Sequence, residues 1–351
     1  MIMMPMPMPI PNDRKRSPVF VMGCDRSGTN LLYDMLLSSG GFAIYRGLIP
    51  IYNMLIPRFG SFENRASREK IVEIWLRSKG FRRAGIRPEQ VLARIRDECT
   101  TGGDFICAVM DLVAKSQRME RWVVYGPNNV LHVERVKRDI PNALFLHIIR
   151  DGRDIALSLK KMGGFAPLPW DRSQTDSLVA TALYWEWMVL KGCTGRKFPA
   201  DYMEIHYEDL ITDPRETLSK VGAFIDHDLD YNRIQRVALG CLSETNSSFR
   251  GERLEQQISP LARWKKRLAP ADVAAIESTV GECLQENGYD LSLPAPELHR
   301  SLRHSWMRAM YPAFLDGKQW LKLRTAAGRF TDLSFLELEN EPVPLAESTR
   351  R

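Results

Sequence analysis

The chain has 351 residues and a formal net charge of +6, from 49 Lys and Arg against 43 Asp and Glu. That length suffices for one large α/β domain with an appendage or for two smaller domains, and the mild, dispersed positive charge suits a polyanionic ligand rather than nucleic acid. The six cysteines, at 24, 99, 107, 193, 241 and 283, lack C-x-x-C or zinc-like spacing and favour a reducing compartment over a disulfide framework.

Residues 1–11 alternate apolar residues with Pro, unlike the continuous apolar core of a signal peptide, and residues 1–16 read as an extended or disordered tail. No later run approaches the ~20 apolar residues that cross a bilayer, so a soluble, cytoplasmic protein is expected. Val19 to Met22 is an apolar run suited to a buried parallel strand, and Leu31, Leu32, Met35 and Leu36 then recur at helical spacing. Between them, Gly23-Cys24-Asp25-Arg26-Ser27-Gly28 has the G-x-x-x-x-G spacing of a Walker loop, but Thr29-Asn30 follows where that motif requires Lys-Ser or Lys-Thr. The cation has moved inside the loop, to Arg26.

Such a turn converges backbone N–H groups and the positive end of a helix dipole, which adds roughly 0.3–1 kcal/mol to the directed bonds an anion receives. Ser27, Gly28 and Thr29 are small enough to bring a phosphate onto the main chain. A nucleoside triphosphatase needs the missing Lys on its β/γ-phosphates and the missing hydroxyl on Mg²⁺, so the loop predicts a phosphate ligand handled without that machinery. Cys24 sits in this loop, either as a thiol made reactive by the positive field or as a small residue beneath the main chain.

Residues 69–116 are rich in helix formers, with Ile71, Ile74 and Trp75 at amphipathic spacing, an insertion of the kind that builds an acceptor pocket. Ala143 to Ile149 is a second buried-strand candidate, followed by Arg150-Asp151-Gly152-Arg153 and a helix to Lys161. Arg150 falls at the carboxyl end of that strand, the edge where open α/β sheets bind ligands. Its planar fork matches phosphate oxygens, and Ser158, two helical turns onward, reaches the same group. Asp151, Arg153 and Asp154 read as a solvated first helical turn.

Residues 163–170 form a Gly/Pro-rich stretch suited to a lid or substrate wall, with Phe165 and Trp170 offered to an acceptor. Trp185 and Trp187 lie in an apolar run and read as core. Lys265, Lys266 and Arg267 read as a solvated helix face. Beyond Pro294, residues 299–330 interleave Arg and Lys with Leu302, Trp306, Met310, Phe314, Trp320 and Leu323. This basic amphipathic pattern is read as packing on the body, and it is compatible with homo-oligomer or peripheral membrane contact. From Glu337 the chain is acidic and reads as a loose tail.

Arg26-Ser27-Gly28-Thr29, together with Arg150-Asp151-Gly152-Arg153 and Ser158, resembles the two-part signature of sulfotransferases that use 3′-phosphoadenosine 5′-phosphosulfate, in the style of bacterial and tyrosylprotein-type members. The resemblance implies that the first loop, with Asn30 beside it, holds the 5′-phosphosulfate, and that Arg150 and Ser158 hold the 3′-phosphate. Tyr207-Glu208-Asp209-Leu210 is similar to the family segment whose Tyr approaches the adenine. Phe249-Arg250-Gly251 and Arg263-Trp264-Lys265 resemble the late basic segment that closes over the 3′-phosphate, which adds Arg250 and Gly251 to the expected cofactor contacts.

The resemblance implies direct, in-line transfer of a sulfuryl group to an acceptor hydroxyl, with Arg26 as the catalytic cation and with no metal. It supplies no base. Where cytosolic members place a His, and tyrosylprotein sulfotransferases a Lys, two residues before a Pro, this chain has Tyr125-Gly126-Pro127. The catalytic Glu of the tyrosylprotein branch has no counterpart in Ile44-Tyr45-Arg46-Gly47. His132, Glu63 and Asp104 are the candidate substitutes, and Tyr125 a candidate for positioning the acceptor.

The expected architecture is an α/β fold with a P-loop NTPase-like central parallel sheet flanked by helices and a helical C-terminal extension. Its expected parts are the tail at 1–16, a sulfotransferase domain at 17–293, a basic helical extension at 294–336 and a flexible tail at 337–351. The expected acceptor is a small metabolite, lipid or carbohydrate. The alternatives are a P-loop phosphotransferase using a nucleoside triphosphate, and a non-catalytic binding protein of the same fold.

Overall fold

The computed structural model describes residues 14–162, 174–243, 261–292 and 301–339. The first apolar run is β1 (Val19–Met22), and a six-residue turn leads from it into α1 (Thr29–Ser38). β2 (Phe42–Ala43), β3 (Arg121–Tyr125), β4 (Leu144–Ile149) and β5 (Tyr202–His206) complete a five-stranded sheet. Its order is β2-β3-β1-β4-β5 and every neighbouring pair is parallel. This is the predicted α/β class.

Parallel strands buried on both faces read as unbroken apolar runs because each side chain meets a covering layer. Along β1, Phe20 and Met22 enter one hydrophobic cluster while Val19 and Val21 enter the other. β4 divides in the same way, with Phe145 and Ile149 on one side and Leu144, Leu146 and Ile148 on the other.

Between β1 and β3 the chain builds one side of the sheet, and then crosses to the other side of β1 for β4 and β5. The change of direction sets β1 beside β4, in register from Val19 with Leu144 to Met22 with His147. Both strands therefore deliver their following turns to one crevice, the switch point at which open α/β sheets bind ligands.

The C-terminal helix Leu302–Arg324 packs against the helix Gln174–Gly192, but it buries Met307, Tyr311 and Leu315, whereas Leu302, Trp306, Met310, Phe314 and Trp320 of the expected apolar set stay exposed. Trp187 Nε1 donates to Asp316 Oδ1 at 2.8 Å, Lys191 pairs with the same carboxylate, and Arg308 pairs with Glu186. Trp185 and Trp187 are core residues, as expected. Among the described residues, no helix is long and apolar enough to cross a membrane.

Candidate functional site

At the end of β1 the chain makes the turn that the sequence reads as a phosphate loop, with two residues in the left-handed region. Gly28 has φ +100° and caps α1, and Arg26 has φ +71°, a conformation that costs a non-glycine residue about 1–2 kcal/mol. The contacts around Arg26 hold it there. Its Nε donates to Ser158 Oγ at 3.2 Å, and Arg150 Nη1 donates to the Arg26 carbonyl at 3.2 Å. The two motifs that the sequence places over a hundred residues apart meet at this point.

Gly28 owes its identity to a second constraint besides φ. A Cβ built there would lie 2.4 Å from the Tyr207 ring, which seals the loop from the β5 side. A Cβ at Gly23 would lie 2.3 Å from the Ile148 carbonyl of β4. The Arg150 guanidinium stacks over the same Tyr207 ring at 4.3 Å. Thr29 and Asn30 open α1, where the first turn of a helix leaves its N–H groups without intrahelical partners.

The electrostatics of the crevice favour an anion. Burial, and after it the charge of Arg150, push the Arg26 guanidinium below its ordinary pKa. An anion between them would relieve that repulsion. Ser27 is 1% exposed, and its Oγ has no hydrogen-bond partner among the described residues, an unsatisfied donor of the sort that native interiors seldom leave.

Behind Arg150 lies a buried polar scaffold, and it corrects the expectation of a solvated helix start. Asp151, Arg153 and Asp154 are all buried. Arg153 donates from Nε and Nη2 to the Asp151 carboxylate, at 2.9 and 2.8 Å, and reaches Glu277 Oε1 at 2.5 Å. Trp264 stacks on Arg153 at 3.9 Å, and donates from its indole to Asp151 and from its main chain to Asp154, each at 3.0 Å. Asp154 in turn pairs with Arg150 at 3.5 Å. The neighbouring Lys265, Lys266 and Arg267 are exposed, as predicted.

A cavity of about 980 Å³ adjoins the loop at Asp25. Its walls come from residues 47–54 with Tyr45, from residues 124–129 at the end of β3 and beyond it with His132, and from residues 314–335 of the C-terminal segment. Tyr125, the candidate for positioning an acceptor, lines it. From the predicted pocket-building stretch 69–116, Ile106 alone does so among the described residues. The stretch folds instead into helices whose apolar faces, with Ile71, Ile74 and Trp75, fill the adjacent core.

The three candidate bases separate. Glu63 is exposed and does not line the cavity. Asp104 caps its own helix, accepting from the N–H groups of Thr100 and Thr101 at 2.9 and 2.8 Å. His132 lines the cavity, but burial, then Arg135 and Lys322, push its pKa down to about 3. Cys24 is fully buried, and burial followed by the Asp25 charge raises its thiol well above the ordinary range, so it is the inert residue beneath the loop.

Arg250, Gly251, Phe165 and Trp170 lie outside the described residues. The sequence reading missed Asp25, whose Oδ2 accepts from Tyr184 Oη at 2.8 Å; a lone Asp in a loop carries no signal of a partner 159 residues away. His147, Cys193 and Glu204 bring one ligand atom each to within 4.8 Å of one another. Glu204 is already held by Arg196 at 2.7 Å and by the Tyr202 hydroxyl at 2.8 Å, and burial, then Glu204, push the Cys193 thiol up to about 11. A cation there would have to displace a guanidinium.

Residues 18–231 match the family model described as "Sulfotransferase family". Among solved structures, the sulfotransferase domain of the Synechococcus PCC 7002 olefin synthase is 19% identical, with 79% of this chain and 96% of that one covered and a TM-score of 0.51. The sulfotransferase domain from the curacin biosynthetic pathway is 14% identical, with 78% and 98% covered and a TM-score of 0.54. At these identities the likeness is one of fold. Comparison with curated protein sequences gives no match.

Proposed function

Because the chain belongs to the sulfotransferase family, we propose that it moves a sulfuryl group from 3′-phosphoadenosine 5′-phosphosulfate to an acceptor hydroxyl. The observation that carries this reading is the junction of the two turns. Arg26 and Arg150 converge beside the start of α1, joined through Ser158 and the Arg26 carbonyl.

The residues suit such a nucleotide at both ends. The orphaned Ser27 hydroxyl, the first-turn amides at Thr29 and Asn30, and the main-chain surface at Gly28 are matched to the 5′-phosphosulfate. Arg150 and Ser158 are matched to the 3′-phosphate, and Tyr207, already stacked under Arg150, to the adenine. The bound donor supplies an activated sulfuryl group. Arg26 acts as the catalytic cation, its guanidinium already held in place before charge gathers on the leaving phosphate, so little reorganisation is needed during transfer. Asp154 and the Asp151–Trp264 scaffold keep Arg150 at the crevice.

Calorimetry without added metal tests the reading by comparing adenosine 3′,5′-bisphosphate with AMP, ADP and ATP. The expected outcome is a preference of at least tenfold for the 3′-phosphate over AMP. Equal affinity for AMP, or a preference for ATP that requires Mg²⁺, would overturn the assignment.

A further inference from the structure

The family match ends at residue 231, whereas the outer wall of the cavity beside the loop comes from residues 314–335. This wall is built into the molecule. Lys322 Nζ donates to Asn53 Oδ1 at 3.1 Å, tying the C-terminal helix to the opposite wall. A Cβ at Gly328 would lie 2.6 Å from the Pro57 carbonyl, so the two segments are in close contact. The wall presents Phe314, Leu321, Phe330 and Phe335 opposite the apolar Ile51 and Met54. At the rim, Phe330 and Phe335 stay 85% and 60% exposed.

Resting on the sulfuryl-transfer reading, we infer that this cavity is the acceptor subsite and that it takes an elongated apolar molecule carrying a hydroxyl at the Asp25 end. The volume is at the upper end of the roughly 300–1,000 Å³ range of ligand pockets. A polyhydroxylated sugar placed along such walls would leave hydroxyls unpaired, at a cost of about 1–3 kcal/mol each, whereas an alkyl or polycyclic body gains with each buried methylene. The segment that confers this choice lies outside the matched family core.

Binding of 1-alkanols from butanol to dodecanol, read by displacement of the neutral fluorophore N-phenyl-1-naphthylamine, tests the inference. Transfer of ³⁵S from labelled donor to the same alkanols is measured in parallel. Affinity is expected to rise about fourfold per added methylene until the chain reaches the rim. Leu321→Asp and Phe314→Asp, at partly exposed positions that tolerate charge, should flatten that slope while leaving the affinity for adenosine 3′,5′-bisphosphate unchanged. A flat dependence on chain length, or stronger displacement by octyl-free glucose than by dodecanol, would sink the proposal. Loss of the 3′-phosphate preference with an intact chain-length slope would instead count against the sulfuryl-transfer reading alone.

The Tyr184–Asp25 hydrogen bond supports a second assignment, on a different observation. Asp25 is the loop's only carboxylate and lines the cavity; Tyr184 occupies its Oδ2 and orients the side chain. The other carboxylate lining the cavity, Asp332, has both oxygens taken by Ser334. The geometry assigns Asp25 as the group that receives the acceptor's proton, with Tyr184 as its positioning residue. The acceptor oxygen forms a new bond to sulfur as the bond from sulfur to the bridging phosphate oxygen breaks. That electron pair stays on the phosphate beside Arg26, and the acceptor proton passes to Asp25 Oδ1.

Phenols of falling pKa separate this role from a structural one, because an acceptor that is already ionised needs no base. Asp25→Asn should lower kcat about 10²-fold or more for phenol itself, approach the wild-type rate for 4-nitrophenol, and bind adenosine 3′,5′-bisphosphate normally. Tyr184→Phe should lower kcat less, with KM unchanged. An equal loss across all phenols would refute the assignment, and absence of transfer by the wild type to every phenol and every alkanol would overturn the sulfuryl-transfer reading together with it.

Discussion

Arg26 Nε and Ser158 Oγ stand 3.2 Å apart, a hydrogen bond that fastens the turn after β1 to the helix after β4. Because Arg150 also grips the Arg26 carbonyl, the strained backbone of Arg26 is held from both sides, and the guanidinium is fixed before any ligand arrives. Preorganisation of this kind acts mainly on rate. Arg26→Ala is expected to lower kcat by about 10²–10³ while weakening adenosine 3′,5′-bisphosphate less than about tenfold. Steady-state kinetics and calorimetry on the same preparation measure the split.

Arg150→Ala should show the opposite pattern. Its guanidinium is shared between the Arg26 carbonyl, Asp154 and the Tyr207 ring, and the proposed 3′-phosphate is its ligand. Loss of about 1.5–3 kcal/mol, the range for a hydrogen bond to a charged group, is expected for the bisphosphate and little change for AMP. Comparable losses for both nucleotides would show that the residue only supports the fold.

Gly28→Ala places a methyl group 2.4 Å from the Tyr207 ring at a φ of +100°. Both the clash and the backbone strain oppose it, so a stability loss of about 1–3 kcal/mol is expected. Adding Tyr207→Ala removes the clash but leaves the strain. Urea denaturation of the two single variants and the double should therefore give a cost for the pair smaller than the sum of the singles.

Arg153 holds two buried carboxylates, Asp151 and Glu277, whose side chains are 10% and 0% exposed. Arg153→Met leaves both without their cation, and a destabilisation of about 3–5 kcal/mol is expected. Glu277→Gln keeps a hydrogen-bond acceptor and should cost less. A smaller effect for Arg153→Met than for Glu277→Gln in denaturant titrations would contradict this account of the scaffold.

Two buried imidazoles give stability a pH dependence. Burial pushes His132 to about 3 and His147 to about 4, against an ordinary value near 6.5. The unfolded chain therefore binds more protons between these limits, so the contribution is complete above about pH 6.5 and is lost as the pH falls toward the folded-state values. From pH 7 to pH 5 each imidazole should cost about 2 kcal/mol. His147→Gln should remove its share of that slope, whatever it does to stability at pH 7.

The two strand-turn-helix units were legible because a parallel strand buried on both faces leaves an unbroken apolar run, and because small residues and a cation in the following turn have few other uses. Arg153 was not. Acidic neighbours in a first helical turn read as solvated, and nothing local indicates that Glu277 lies 124 residues away or that Trp264 covers the pair. The cavity wall was hidden for a related reason. Phe314 looked like part of a packing face, and its place opposite Ile51 depends on how the last helix crosses the body. The helical stretch 69–116 announced itself as a pocket builder by composition, yet its apolar faces are spent on one another and on the core.

Tyr207 closes over Gly28 from the far end of the sheet, so the proposed nucleotide cradle comes into being only when segments from residue 23 to residue 207 have docked. A partly folded chain cannot hold the ligand with the same strength. On the sulfuryl-transfer reading, mass action makes the nucleotide a guardian of the whole sheet, worth about 2.7 kcal/mol of added stability at a hundred times its dissociation constant. Supply of the sulfuryl donor would thus set how long each molecule survives unfolding and proteolysis, as well as how fast it works.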